Sequence, residues 1–378
     1  MILAFQSIFK RLKRFSFLQQ ILMNHLNRII VKTLIIHQQG DISISVGQTF
    51  EDEIVSLLKR TIYGTKGPKY QHTGQEVKLT NLKSPIFFTL KNKEGVIGFY
   101  CLCEREIMVG SEHYLGYYGR YLTVDEHFQG NHYGNLLKKV ATEYIKANSA
   151  SPSILYSYIE ENNTRSLNIS KNLGFESIST LETIIFSRLY SQKNVNITHL
   201  NSTELPTILF KLESQNSTTI LRNFENVNYQ GNYFVIKEKG VIVAGLQTNP
   251  VRWKIKEMEG ISGKILLKIL PYIPIFKRLI NPEQYDFLAI EGIFVAKGCE
   301  EYLYDLLEGI LNQFDITSAL IQLDSKSPFL KLFKEKGNLG LLNAMKKDVK
   351  THVMIKTINC EESIIKEGEV YVSSFDFT

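Results

Sequence analysis

The chain has 378 residues, of which 44% are hydrophobic and 22% are charged, an ordinary composition for a folded globular protein. This composition excludes a disordered chain, a collagen-like repeat and a coiled-coil rod. Because one domain usually has about 100 to 200 residues, the length favours two compact units and excludes a lone small domain.

The excess of basic residues lies at the N-terminus. Residues 1–40 contain no acid, and they contain six bases: Lys10, Arg11, Lys13, Arg14, Arg28 and Lys32. Without them the 44 Lys and Arg of the chain would match its 38 Asp and Glu. A neutral body argues against a nucleic-acid partner, and we expect none.

Residues 1–40 form the first segment, a basic amphipathic one. Apolar residues recur at spacings of three and four from Phe5 to Ile29, which predicts a helix with one apolar stripe. The helix could pack on the protein's own body or lie on an anionic membrane surface, and translation could also begin at Met23. Bases interrupt the apolar run, unlike a signal peptide, and no stretch reaches the roughly 18 apolar residues of a spanning helix.

The four cysteines form neither a CxxC pair nor a disulfide framework. We therefore expect a reducing, cytoplasmic location, with peripheral membrane contact as an option. Cys101 and Cys103 lie in an alternating apolar run typical of a strand, and the eight histidines show no paired spacing. No metal is assigned.

From Asp41 onward the pattern predicts alternating strands and helices, so the fold class is α/β with a mixed sheet. A strand at Asp41–Val46 and a helix at Phe50–Ile62 come first. The remaining elements are a hairpin of Ile86–Lys91 and Val96–Glu104, a strand at Tyr114–Val124, a helix at Tyr133–Ala147, a strand at Ile154–Ile159 and a helix at Thr164–Leu173 that ends at Gly174.

The second half of the chain repeats this order. Three segments have counterparts: Phe88–Phe99 in Phe234–Leu246, Leu122–Leu137 in Ile290–Leu307, and Ile154–Gly174 in Ala319–Gly337. Self-similarity of this kind predicts two copies of one fold. We place them at residues 41–190 and 200–360, followed by a C-terminal tail at 361–378.

One strand runs directly into a loop of small residues that opens a helix, at Tyr118–Leu137. The free N–H groups and dipole of a helix N-terminus favour an anion such as a pyrophosphate. Small residues let a phosphate approach the backbone. Many strand-to-helix turns contain glycines, so the loop alone is weak support.

Together with Asn163 and the sequence Leu173-Gly174-Phe175, the loop Gln129-Gly130-Asn131-His132-Tyr133-Gly134 resembles the acyl-CoA motifs of the GNAT superfamily of N-acetyltransferases. The resemblance covers about residues 41–190 and implies acetyl-CoA as co-substrate and an amine-bearing acceptor. It implies that the preceding strand binds the pantetheine arm and the loop the pyrophosphate. The implied cofactor-binding residues are Leu122, Thr123, Val124, Gln129, Gly130, Asn131, His132, Tyr133, Gly134, Asn135 and Asn163.

Two residues depart from the family pattern. His132 replaces the first glycine of the loop, which is tolerable if its φ is negative. Ser170 stands where many members carry a tyrosine that protonates the departing thiolate.

Three residues are candidates for the acceptor side. Strand alternation would put Tyr118, Arg120, Leu122 and Val124 on one face. Tyr118 could relay a proton through water, Arg120 could bind an acceptor carboxylate, and Glu160 could serve as a base. Each also has a purely structural alternative, as a core tyrosine or as a charge at a helix entry.

The corresponding loop of the second copy, Ala296–Tyr304, has bulky residues and two acids where phosphates would lie. We therefore expect a degenerate copy that binds no CoA and lines an acceptor cleft or an interface. An insertion at about Pro250–Tyr285 contains an apolar, basic stretch at 264–280, which could be a lid, an acceptor wall, a membrane contact or a short packed helix.

The function predicted from the sequence is an acyl-CoA-dependent N-acyltransferase, with acetyl transfer to a primary amine favoured. Two alternatives stay open: a non-catalytic acyl-CoA-binding or interaction protein, and a long-chain acyl or aminoacyl transferase. The acceptor and the oligomeric state are not predicted.

Overall fold

The computed structural model describes residues 33–65, 68–258, 260, 263, 267, 269–361, 365 and 368–376. The predicted N-terminal helix lies outside the described residues, as does part of the stretch 264–280. Within the described part of the chain, no helix is long and apolar enough to cross a membrane.

One sheet runs through the described molecule. Its strands are β1 Leu34–Gln39, β2 Ile42–Gly47, β3 Lys69–His72, β4 Pro85–Asn92, β5 Gly95–Val109, β6 Glu112–Val124, β7 Ser153–Glu160, β8 Glu176–Ser187, β9 Ile197–His199, β10 Ile220–Arg222, β11 Tyr233–Glu238, β12 Val241–Glu257, β13 Tyr285–Val295, β14 Ser318–Asp324 and β15 Thr351–Ile358. The helices in the described ranges are α1 Asp52–Arg60, α2 Gln75–Thr80, α3 Tyr133–Asn148, α4 Thr164–Asn172, α5 Leu205–Gln215, α6 Pro274–Leu279, α7 Glu301–Phe314, α8 Pro328–Lys336 and α9 Leu341–Met345.

These elements confirm the predicted mixed α/β fold, and most predicted ends are within a few residues of the observed ones. The predicted start of the insertion, at about Pro250, was wrong. Pro250–Glu257 continues β12 and pairs with β13 and β3. The insertion therefore begins at Met258.

The same strand arrangement occurs twice. Strands β4, β5 and β6 are antiparallel and β6 then lies parallel to β7, and β11, β12, β13 and β14 repeat this pattern. The third strand of each set also bulges at the same place, at Tyr121 in β6 and Gly292 in β13, both with positive φ. The chain therefore consists of two copies of one fold.

The two copies exchange their last strands. The sheet order around the centre is β6-β7-β15-β8-β14-β13, so that β15 of the second copy lies against β7 of the first. In turn β8 of the first copy pairs with β14 of the second. Each copy therefore completes the sheet of the other. The division of the chain into units at residues 41–190 and 200–360 stays a prediction.

Helices cover both faces of the sheet. On one face, the α3 face, α3 and α4 pack over a core that contains Leu137, Ala141 and Leu167. The buried apolar residues of α3 recur at spacings of three and four, which is the spacing of one helical stripe: Leu137, Val140, Ala141 and Ile145. On the opposite face, the α1 face, α1 and α2 pack over a separate core. Val370 and Val372 of the C-terminal segment, residues 368–376, pack on the same core.

Candidate functional site

Strands β6 and β7 separate part-way along their length. They pair only where Leu115–Tyr118 lies beside Ser153–Tyr156, although β6 continues to Val124 and β7 to Glu160. Beyond Tyr118, the edge of β6 that faces β7 has no strand partner among the described residues. This wedge leaves backbone donors and acceptors available for an extended ligand that contains amides. Leu122, Thr123 and Val124, predicted to bind pantetheine, lie here.

The bulge at Tyr121 corrects the predicted alternation of β6. Tyr118 and Tyr121 both join the core of the α1 face, whereas Leu122 and Val124 pack on the α3 face. Tyr121 has φ 59° and is the extra residue of the bulge. The side chains that follow Arg120 therefore point to the opposite faces of the sheet from those that strict alternation would give. The prediction that Tyr118, Arg120, Leu122 and Val124 share one face was therefore wrong.

The loop that follows β6 has the backbone form that glycine favours. Gly130 and His132 have φ values of 89° and 60°. The negative φ at which a histidine would be tolerable here is therefore not observed. His132 is the N-cap residue of α3 and makes no capping hydrogen bond through its side chain. The first-turn N–H groups of Tyr133, Gly134 and Asn135 have no intrahelical acceptor and remain available to an anion.

The polar side chains of the loop bond to the protein itself. Gln129 donates from Nε2 to the carbonyl of Val124 at 3.2 Å and accepts from Arg165 at 2.9 Å. Asn131 donates to the carbonyl of Phe128. Asn163 caps α4 by accepting from the N–H of Ser166. The contribution of these residues to an anion site would therefore come from the backbone, and their assignment stays a prediction.

Tyr118 and Arg120 are both buried, and both contact the C-terminal segment. The Tyr118 hydroxyl donates to the carbonyl of Asp376, and Arg120 donates to the carbonyl of Phe375 at 2.9 Å and to the Tyr121 hydroxyl at 2.7 Å. Burial raises the pKa of Tyr118 well above its usual value, so the phenol stays protonated. Tyr118 can thus donate a hydrogen bond but is not a base.

The carboxylate of Asp376 lies 2.8 Å from Arg105, and both side chains are buried. Local sequence does not reveal this pair, because 271 residues separate its members. The C-terminal segment is thereby fixed beside the wedge, on the α1 face.

Glu160 ends β7 on the α1 face. It accepts hydrogen bonds from the N–H of Thr65 at 3.2 Å and from its hydroxyl at 2.9 Å. Glu160 also lines a cavity of about 510 Å³ between the two copies. Glu160 thus lies at the end of a separating strand, and its role as a base stays a prediction.

The cavity receives walls from both copies. Tyr70 of the first copy stacks on Trp253 of the second, with ring centroids 3.8 Å apart. The other apolar walls include Ile185, Ile255, Tyr285, Leu320 and Leu342. Charged side chains also line the cavity, among them Lys334, Lys346, Lys347 and Lys350, and a pocket of this size is typical of a small-molecule site.

Ser170 faces away from solvent, between α3 and α4. Its hydroxyl donates to the carbonyl of Ser166 and accepts from the ammonium of Lys138 at 2.6 Å. Lys138 also lies over the ring of Phe175, and burial lowers the pKa of this lysine to about 7. Sequence reasoning missed Lys138, which follows Gly134 by one helical turn.

The loop of the second copy contains its own anion. The carboxylate of Glu300 accepts a hydrogen bond from the N–H of Gly298 at 3.1 Å, and backbone hydrogen bonds lower its pKa. A phosphate at this loop would meet an occupied donor and a negative charge. That the second copy binds no CoA stays a prediction.

The repeated strands, the wedge and the loop before α3 form, in two tandem copies, a fold that solved N-acyltransferase structures share. The chain is similar to structures of Saccharomyces cerevisiae N-myristoyltransferase with bound myristoyl-CoA. One has a TM-score of 0.61 and 10% identity and covers 91% of this chain and 86% of its own, and another has a TM-score of 0.56 and 10% identity, with 91% and 92% covered.

The GCN5-related glucosamine N-acetyltransferase region of a fungal multi-domain β-N-acetylglucosaminidase is also similar. Its TM-score is 0.54 at 12% identity, and the alignment covers 84% of this chain and 38% of that protein. At these identities the likeness establishes the fold. No protein-family model matches the sequence, and no curated protein sequence matches it significantly.

Proposed function

We propose that the protein is an acyl-CoA-dependent N-acyltransferase whose working site lies in the first copy. The observation that carries this proposal is the wedge between β6 and β7, which leads directly into an uncapped helix N-terminus. This combination offers a backbone edge for an extended amide chain and a donor cluster for a pyrophosphate. The second copy has the same strands but places Glu300 in its own loop.

Acyl-CoA would supply a thioester whose carbonyl carbon the amine attacks, with the thiolate as leaving group. The amine must be neutral to attack, so its proton has to leave first. We assign this role to Glu160, because it ends β7 and lines the cavity. Tyr118, Arg120 and the C-terminal segment close the same side of the wedge and would exclude water from it.

Acetyl is the acyl group that the sequence motifs favour. A long acyl chain is the second candidate, supported by the likeness to N-myristoyltransferase structures over 91% of this chain. Calorimetric titration with acetyl-CoA, octanoyl-CoA and myristoyl-CoA separates the two, because affinity should rise steeply with chain length only if the protein holds the chain. CoA release in the presence of amines separates an enzyme from a pure binder.

A charge placed at Gly134 tests the loop. A Cβ at this position would lie 3.6 Å from Ile169 and 3.9 Å from Val124, which is ordinary contact, so a side chain is sterically tolerable. Gly134→Glu should weaken acyl-CoA binding at least about tenfold, because its charge repels the pyrophosphate. The matched control is Gly134→Gln, which has the same shape without the charge and should bind more tightly than Gly134→Glu. Equal affinity of the glutamate variant and the wild type would refute the assignment.

A further inference from the structure

Two basic side chains meet on the α1 face next to the bulge of β6. His72 ends β3, and its Nδ1 lies 3.4 Å from the ammonium of Lys78 on α2. The His72 ring stands 6.5 Å from that of Tyr121, the bulge residue, and 5.7 Å from that of Trp253 in the second copy. We call His72 and Lys78 together the His72–Lys78 pair.

Among the described residues, the charges that lower the pKa values of this pair are positive. Burial lowers the pKa of His72 well below its usual value, and the positive charges of Lys78 and Arg120 add to this effect. Burial and then Arg120 lower the pKa of Lys78 to about 7. Arg120 also interacts electrostatically with the buried carboxylate of Asp376, which is already bound by Arg105. Among the described residues, Lys78 has no carboxylate partner.

Further polar groups near the pair lack hydrogen bonds. Gln75 lies one turn before Lys78 on α2, is fully buried, and has no hydrogen-bond partner for its side-chain nitrogen or oxygen within the described residues. The hydroxyl of Tyr63, whose ring is 4.7 Å from that of His72, is also buried without a partner there. Buried polar groups are almost always hydrogen-bonded, so these groups are available to a polar ligand.

The available groups are mainly donors. A charged Lys78 that donates to Nδ1 of His72 leaves the proton of the neutral imidazole on Nε2, which then becomes a donor as well. Without a counter-ion Lys78 tends to lose its proton, whereas a carboxylate would keep it charged and accept hydrogen bonds from its neighbours. The pyrophosphate cannot fill this role, because its loop opens α3 on the other face of the sheet.

We propose that the His72–Lys78 pair binds a carboxylate of the acceptor, so that the acceptor is an amine that also carries a carboxylate group. The assignment to the acceptor rests on the proposed function. Tyr70, whose ring lies 5.4 Å from that of His72, lines the cavity together with Glu160. Glu160 repels a carboxylate and attracts an ammonium, so the acceptor binds with its amine toward Glu160 and its carboxylate toward Lys78.

The test compares two probes of one shape. Phenylacetate carries the carboxylate and phenylacetamide is its neutral counterpart, and the aromatic body suits the wall formed by Tyr70 and Trp253. Trp253 is the single tryptophan of the chain and reports binding by fluorescence. We expect saturable binding, with phenylacetate at least tenfold tighter than phenylacetamide.

The preference for the anion should disappear in Lys78→Met and persist in Lys78→Arg. Lys59→Met, at an exposed position of α1, is the control and should keep it. Circular dichroism and acetyl-CoA binding should be unchanged in Lys78→Met, which shows that the variant is folded. Equal affinity for both probes, retention of the preference in Lys78→Met, or the absence of saturable binding would each overturn the proposal. Phenylacetate binding in a protein that does not bind acetyl-CoA would refute only the proposed function.

Discussion

His132 holds a left-handed backbone conformation that a residue with a Cβ rarely adopts. Its φ of 60° lies in the region that favours glycine, and the motif that this loop resembles has glycine at this position. His132→Gly should therefore bind acyl-CoA several-fold more tightly, because the Cβ and imidazole no longer shield the backbone. Its effect on stability should stay below about 1 kcal/mol, since the relieved strain is offset by the larger backbone entropy of glycine.

Calorimetric titration measures the effect of His132→Gly. His132→Asn is the matched control, because asparagine tolerates the left-handed region but keeps a side chain. If bulk limits access to the backbone, the asparagine variant should resemble the wild type. Unchanged affinity in the glycine variant would show that His132 does not obstruct the loop.

Lys138 should make stability depend on pH. Burial lowers its folded pKa to about 7, whereas in the unfolded chain it is about 10.5, so between these values the unfolded state binds more protons. The free energy of unfolding should therefore rise from pH 7 to pH 10.5, by up to about 4 kcal/mol from this residue. Lys78 contributes in the same direction.

Urea unfolding at pH 7 and pH 10 measures this rise. Lys138→Met fills a similar volume without the charge, so it should be at least as stable as the wild type at pH 7 and show a much smaller rise. Lys139→Met, at the next and exposed position of α3, should keep the wild-type rise. An equal rise in Lys138→Met and the wild type would mean that Lys138 is not buried as a neutral amine.

At the scale of elements, the C-terminal segment is held by a buried ion pair. Removing the charge of Asp376 in Asp376→Asn leaves Arg105 with a longer ionic contact, of 3.7 Å to Glu225. We expect a loss of about 3 kcal/mol in the free energy of unfolding, because one buried charge loses its partner. The double variant Arg105→Met with Asp376→Leu should recover most of this loss.

A double-mutant cycle by urea unfolding gives the coupling energy of this pair. The exposed pair of Arg252 and Asp286 is the control, and Asp286→Asn should lose less than about 1 kcal/mol. Similar losses at the two sites would show that burial does not strengthen the first pair.

The elements that sequence predicted best are those with a local signal. The hairpin turn before Gly95 and the end of α4 at Gly174 were marked by glycines with positive φ, and α3 by its apolar period. The bulge at Tyr121 escaped prediction, because one extra strand residue leaves no mark in apolar alternation. The pairing of β3 with β12 also escaped, since it joins residues 181 or more positions apart that share no local pattern.

The same limit applies to the candidate site. Its loop and Glu160 were placed by motif and by strand order, both of which are local. The His72–Lys78 pair, Lys138 and Asp376 were missed, because their roles depend on burial and on distant partners. The cytoplasmic location and the membrane contact of the N-terminal segment stay predictions.

At the scale of the whole molecule, the exchange of β8 and β15 joins the two copies into one sheet. Strand β15 supplies Met354 and Ile358 to the core of the first copy, although it follows the helices of the second in the chain. Neither copy can lose its structure without exposing an edge and a core surface of the other. We therefore expect the two copies to unfold together.

Ile145→Ala tests this expectation. Ile145 is buried in the first copy, and its truncation should lower stability by about 2–4 kcal/mol. Trp253 of the second copy stacks on Tyr70 of the first, so its fluorescence reports the contact between the copies, whereas circular dichroism reports both copies. If the exchanged strands couple the copies, the circular dichroism of Ile145→Ala should show one urea transition, at a lower midpoint than in the wild type and coincident with that of Trp253 fluorescence. Lys146→Ala, at the neighbouring exposed position, should keep the wild-type midpoint, and a second circular dichroism transition that stays at the wild-type midpoint in Ile145→Ala would mean that the copies unfold independently.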